Sequence, residues 1–258
     1  MKELCWLMTT KCNQSCGYCD RFLKEDELND EEYQRILKKL IEYEVKQITF
    51  GGGEALLVDS FDTIVKLASE NNIHLKLVTN GKELINHREL IQNLDEITIS
   101  IDSIDDDVNE QMGRGFDHYQ NVCTAFEFIK LNNPLVRVNV NTVVTKYNID
   151  QIENMNSFIR EWGISQWRIF RFCPLREKAI KNSSKFEISN DEFIDIKNKL
   201  LNLEMECDLQ FRNYEDMSEK YLLISPEGKL YISTNMKDIV VGDMLKDNLE
   251  KYFNKERG

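Results

Sequence analysis

Cys12, Cys16 and Cys19 stand on one short segment of this 258-residue chain, in the run Cys-Asn-Gln-Ser-Cys-Gly-Tyr-Cys. Thiolates spaced by three and then two residues are ligands for a soft metal, either zinc or the irons of an iron-sulfur cluster. A structural zinc site takes four protein ligands, yet neither a second Cys-x-x-Cys nor a histidine pair follows. A cluster held by three thiolates leaves one iron without a protein ligand, open to a small molecule. The chain has seven cysteines, and the other four are Cys5, Cys123, Cys173 and Cys207. An odd number argues against a disulfide framework. Cys173 and Cys207 are the only late ones, too few for an auxiliary cluster, so a single cluster is expected.

Further polar residues cluster where apolar runs end. Gly51, Gly52, Gly53 and Glu54 follow one such run. Consecutive glycines let another backbone approach closely, and the carboxylate can accept from an ammonium group. Thr79, Asn80 and Gly81 close a second run, and Ser100, Asp102 and Ser103 a third; each could also be an ordinary turn or cap. Arg114 lies between two glycines after an acidic stretch, where a guanidinium could pair with a carboxylate or sit in solvent. His74, His87 and His118 share no ligand spacing, and no side chain is assigned a catalytic role.

These residues need a scaffold that presents strand ends together. Apolar or β-branched runs at 4–9, 46–50, 73–78, 96–101, 136–144 and 167–172 read as strands. Between them apolar residues recur at helical spacing, as in Tyr33, Ile36, Leu37 and Leu40 after the capping pair Asn29 and Glu32. Phe61, Ile64, Val65 and Ala68 repeat the pattern. Six alternations of strand and helix predict a partial (β/α)6 parallel barrel over residues 1–185. A second capping pair, Ser189 and Glu192, opens a small C-terminal α+β extension over 186–258, read as a hairpin-bearing appendage with short strands around 208–211 and 221–224. In such barrels chemistry sits at the C-terminal ends of strands.

The three-cysteine spacing, with Tyr18 before the last cysteine and the Gly-Gly-Glu element at the end of strand two, resembles the radical S-adenosylmethionine (SAM) superfamily. The resemblance implies one 4Fe-4S cluster on Cys12, Cys16 and Cys19, with SAM on the open iron. SAM would contact Gly52, Gly53, Glu54, Thr79, Ser100 and Arg114. It also implies reductive cleavage of SAM to a 5′-deoxyadenosyl radical that takes hydrogen from a substrate. The stretch from Ser100 through Gly-Arg-Gly, with Asn141 to Val144, Trp167 to Phe170 and Tyr221 to Ile224, is similar to the viperin-like nucleotide dehydratases of antiviral defence. That similarity implies a small, phosphorylated, nucleotide-like substrate bound by Lys66, Asn139, Asn141 and Arg168. Asn139 and Arg168 replace lysines of that family, while Lys66 matches one.

Charge and composition bound the partners. With 45 acidic against 33 basic residues the net charge is −12, which disfavours extended nucleic acid. A few cations inside a pocket can still hold a small phosphorylated ligand at short range. The apolar run at 4–8 is too short for a signal or a membrane span, so a cytoplasmic protein is expected. A flavodoxin or ferredoxin is the expected electron donor. Peptide modification by a radical enzyme, or a non-catalytic iron-sulfur or zinc module, are the alternatives.

Overall fold

The computed structural model describes residues 3–23, 27–217, 222–234, 237–248 and 250–253; Met1, Lys2 and Tyr221 lie outside this set. Six parallel strands appear where the apolar runs predict them. They are β1 (Glu3–Leu7), β2 (Gln47–Gly51), β3 (His74–Thr79), β4 (Glu96–Ser100), β5 (Arg137–Val144) and β6 (Gln166–Arg171). The crossovers carry α1 (Asp30–Glu42), α2 (Phe61–Glu70), α3 (Arg88–Ile91), α4 (Asp106–Met112), α5 (His118–Asn132) and α6 (Met155–Glu161). Asn29 and Glu32 form a reciprocal capping box, which satisfies two backbone donors at the start of α1.

Period-two alternation gives the sheet two unlike faces. Trp6, Ile48, Leu77, Ile99, Val140, Trp167 and Ile169 are fully buried against the helices. The alternate residues, among them Lys76, Thr98, Ser100, Asn139, Asn141 and Arg168, face the concave interior. Buried polar groups need partners, and the lower interior supplies most of them, though the Asn139 amide oxygen has none among the described residues. Lys76 Nζ lies 2.9 Å from Glu96 Oε1, and Asn139 Nδ2 donates to Glu96 Oε2 at 3.0 Å. Burial acts against the Glu96 charge, but Lys76, His74 and Asn139 outweigh it and hold the carboxyl below its ordinary range.

The C-terminal extension differs from a simple appendage. After α7 (Glu177–Phe186) and α8 (Asn190–Leu201), capped by Ser189 and Glu192, β7 (Asp208–Arg212) joins β6 in parallel as a seventh strand. β8 (Leu222–Ile224) pairs in parallel with β1 at the opposite edge. The antiparallel strands β9 (Lys229–Thr234) and β10 (Lys237–Asp243) continue from it. The ten strands among the described residues form one sheet, so the extension widens the barrel wall at both edges. Loop closure through two helices puts β7 beside β6, an order that no local pattern encodes.

Candidate active site

At the C-terminal ends of the strands, Cys12, Cys16 and Cys19 line one pocket together with Gly52, Gly53, Thr79, Ser100 and Arg114. Among the described residues no three His, Cys, Asp or Glu side chains are grouped tightly enough for a single metal ion. A zinc ion with bonds of about 2.3 Å would draw its sulfurs together, whereas a cluster spreads thiolates over separate irons. Three thiols on one short loop lining one pocket fit a cluster, which takes one thiolate on each of three irons. The loop carrying them is pinned by backbone: Ser15 N–H donates to the Gly113 carbonyl at 3.1 Å, and Gly17 N–H to the Met112 carbonyl at 3.0 Å. Gly113 caps α4 at φ 85°, and a Cβ there would strike the Ser15 carbonyl.

The glycines after β2 serve the same loop. Gly53 N–H donates to the Thr9 carbonyl at 2.7 Å and Glu54 N–H to the Lys11 carbonyl at 2.8 Å, and a Cβ on Gly53 would overlap the Lys11 carbonyl. Glu54 itself, 1% exposed, does not line the pocket. Its carboxylate accepts from Thr79 Oγ1 at 2.8 Å and from Asn80 N–H at 2.9 Å. The residue stands behind Thr79 and Asn80 and holds that wall, and Leu56 N–H also reaches its Oε1 at 3.4 Å. Burial pushes its carboxyl up to about 7 despite these donors.

Arg114 is buried, and its Nε–H donates to Asp102 Oδ2 at 2.5 Å. The Tyr18 hydroxyl donates to the same oxygen, and Val143 N–H donates to Asp102 Oδ1 at 2.7 Å. Arg114 Nη1 also donates to Gln14 Oε1 at 3.2 Å. The guanidinium therefore joins the cluster loop to the end of β4 while still lining the pocket. Burial disfavours its charge, but Asp102 overrides this and holds Arg114 firmly protonated. Tyr18, Asp102 and Gln14 were not picked from sequence as site residues. Tyr18 and Gln14 lie inside the cysteine motif, and Asp102 was visible as a carboxylate placed directly after an apolar strand.

The structure separates the expected substrate residues. Asn141 and Arg168 are register partners on β5 and β6, with Arg168 Nη1 donating to Asn141 Oδ1 at 3.4 Å. Val143 and Phe170, one step further along the same face, line the pocket. Asn139 lies a layer lower, fully buried and committed to Glu96. Lys66 is the clear correction. It is exposed on the outer face of α2, beside Asp62, Thr63 and Arg88, because the buried stripe Phe61, Ile64, Val65 and Ala68 turns it away from the barrel. Arg212, on β7, was missed. Leu209 and Phe211 of that strand pack toward the helix layer, with Phe211 against Phe193, so Arg212 faces the interior in register with Phe170.

A sequence profile described as the Radical SAM superfamily matches residues 6–159. The chain belongs to the radical SAM superfamily. This enzyme family uses a 4Fe-4S cluster and SAM, in agreement with the three-thiol loop and its pocket. The radical SAM chain is 29% identical to an S-adenosylmethionine-dependent nucleotide dehydratase of Flammeovirga pacifica, over 94% of this chain and 86% of that protein. It is 26% identical to a protein of the same name from Selenomonas ruminantium, over 96% and 92%. A third, the nucleotide dehydratase RSAD2 of Oncorhynchus mykiss, is 27% identical over 97% and 77%. Among solved structures, SAM-bound SuiB of Streptococcus suis superposes with a TM-score of 0.74 at 14% identity, over 97% of this chain and 65% of SuiB. AdoMet- and peptide-bound anSMEcpe gives 0.75 at 16% identity, over 98% and 80%. At these identities the structural likeness establishes the fold of this radical SAM enzyme. No helix among its described residues is long and apolar enough to cross a membrane.

Proposed function

We propose that this radical SAM enzyme acts on a small, phosphorylated, nucleotide-like substrate held against the interior face of β5, β6 and β7. When bound, the cluster and SAM supply the difficult chemistry, one-electron cleavage of a carbon-sulfur bond to a 5′-deoxyadenosyl radical that abstracts hydrogen. The chain's own residues provide placement. Cys12, Cys16 and Cys19 hold the cluster. Gly52, Gly53, Thr79 and Ser100 flank the cofactor, Glu54 fixes Thr79 and Asn80, and Arg114 brings positive charge for a carboxylate. Val143, Phe170 and Phe172 give an apolar wall that excludes water from the reacting carbon.

The observation that carries the substrate reading is a pair of arginines, Arg168 and Arg212, on the interior wall of a chain whose net charge is −12. Arg212 Nη2 donates to the Gln210 amide oxygen at 2.6 Å. An amide orients a guanidinium without neutralising it, which suits a planar fork aimed at phosphate oxygens. The names of the relatives support a nucleotide, and the loss of Lys66 from the interior leaves Arg212 as the better second cation. Asn141 would fix orientation, while Asn139 supports the wall from below through Glu96. The reading includes a flavodoxin or ferredoxin donor and a cytoplasmic setting, where thiols stay reduced.

The test is formation of 5′-deoxyadenosine with CTP, UTP, GTP, ATP, their monophosphates or no addition. At least one nucleotide is expected to accelerate turnover. Arg168→Ala and Arg212→Ala should each raise KM for it by about tenfold or more, the effect of losing one charge-assisted contact, and Lys66→Ala should match wild type. Indifference to every nucleotide, or wild-type KM in both arginine variants, would remove the reading.

A further inference from the structure

Behind the cysteine loop lies a chain of hydrogen bonds that the cofactor-binding residues do not explain. His118, the first residue of α5, is fully buried. Its Nε2 lies 3.0 Å from the Ser100 carbonyl oxygen, and its Nδ1 lies 3.0 Å from Nε2 of Gln14, a residue 104 positions away. A carbonyl can only accept, so Nε2 carries the proton and Nδ1 of the neutral ring must accept from the Gln14 amide nitrogen. That choice turns the amide oxygen the other way, toward Arg114 Nη1 at 3.2 Å. Burial, reinforced by Arg114, pushes the His118 imidazole down to about 3 and keeps it neutral.

We propose that His118 is a positioning residue for cofactor binding: through Gln14 it fixes the cysteine loop and the direction in which Arg114 presents its charge to the pocket. Every link in the series has one polarity. The Ser100 carbonyl receives from His118, His118 from Gln14, and Gln14 from Arg114, whose Nε–H goes to Asp102. Gln14 sits between two of the thiols, and its backbone N–H donates to Cys12 Sγ at 3.4 Å. An amide left without the imidazole acceptor could flip and set its NH2 against the guanidinium. Two donors would then face each other in a water-poor site, and the loop and Arg114 would both lose their fixed geometry. Second-layer partners that orient metal-site groups commonly change affinity or activity by about 10–100-fold when removed.

The experiment uses the reconstituted full chain without substrate, so it is independent of the nucleotide reading. His118→Leu removes both ring nitrogens, while His118→Asn and His118→Gln retain one donor and one acceptor on a side-chain amide. Iron and sulfide content, SAM titration, and the electron paramagnetic resonance spectrum of the reduced cluster with and without SAM are measured for each. His118→Leu is expected to keep a cluster, to bind SAM about tenfold more weakly, and to show a reduced or altered SAM-induced spectral change. At least one amide variant should restore both. Gln14→Met breaks the series from the loop side without touching the buried end of α5, so it covers the case in which His118→Leu does not fold. Its SAM binding should weaken to a similar degree. Wild-type SAM affinity and spectra in Gln14→Met or in a folded His118→Leu, or failure of both amide variants to do better than leucine, would overturn the assignment.

Discussion

Alanine at Cys12, Cys16 or Cys19 will each leave a protein that, after anaerobic reconstitution, lacks the full iron and sulfide of a four-iron cluster and forms no 5′-deoxyadenosine above background. With three thiolates for four irons there is no spare protein ligand, so each loss frees a second iron. The three positions should differ in their effect on folding. Cys16 is buried with Tyr18, Met112, Phe172 and Phe186, so Cys16→Ala also removes a packed sulfur, whereas Cys12 and Cys19 are only half-buried. Cys173 is the sharpest control because it lines the same pocket. Cys173→Ala and Cys207→Ala should keep the cluster. Full iron, sulfide and SAM cleavage in Cys16→Ala would defeat the ligand assignment, and iron loss in Cys173→Ala would point to a different ligand set.

The amount of this site that can be read from sequence follows from the range of the interactions. Strands β1 to β6 were legible because each is an apolar run whose alternation survives in the fold. The capping boxes at Asn29 and Ser189 were legible because both partners lie three residues apart. The cysteine loop was legible from spacing alone. What failed was relative placement. Lys66 matched a family position along the chain, yet the helical stripe that contains it decides the direction of its side chain, and Ile64, Val65 and Ala68 take the buried side.

The misses have the same origin. β7 was legible as a short strand but not in its position: its interior residues Asp208, Gln210 and Arg212 are polar, and its place beside β6 depends on a crossover through α7 and α8. The donors that hold the Glu54 carboxylate in the structure, Thr79 and Asn80 at the end of β3, are likewise far from it in sequence. His118 gave no signal at all: a lone histidine at a helix start is unremarkable until Ser100 and Gln14 are brought to its two nitrogens. Polar networks that join distant segments lie beyond periodicity and spacing, since neither encodes which strand ends become neighbours.

The ion pair between Arg114 and Asp102 should dominate the stability of the site in the absence of any cofactor. Their side chains are 7% and 0% exposed, so solvent screening is slight, and removal of one partner leaves the other charge buried without compensation. Arg114→Ala is therefore expected to lose about 3–5 kcal/mol of unfolding free energy, the usual cost of breaking a buried pair, and Asp102→Ala a similar amount. Asp102 also receives the Tyr18 hydroxyl and Val143 N–H, so its loss loosens the cysteine loop from β4 and β5 as well. Arg114→Met with Asp102→Leu removes both charges and refills the space, and should recover much of the stability without recovering SAM affinity. Urea unfolding of the apo-protein reads the first quantity, and SAM titration of the reconstituted protein reads the second. A double variant less stable than both single variants would show that the pair is not what stabilises this corner. A double variant with wild-type SAM affinity would show that the Arg114 charge serves the fold alone.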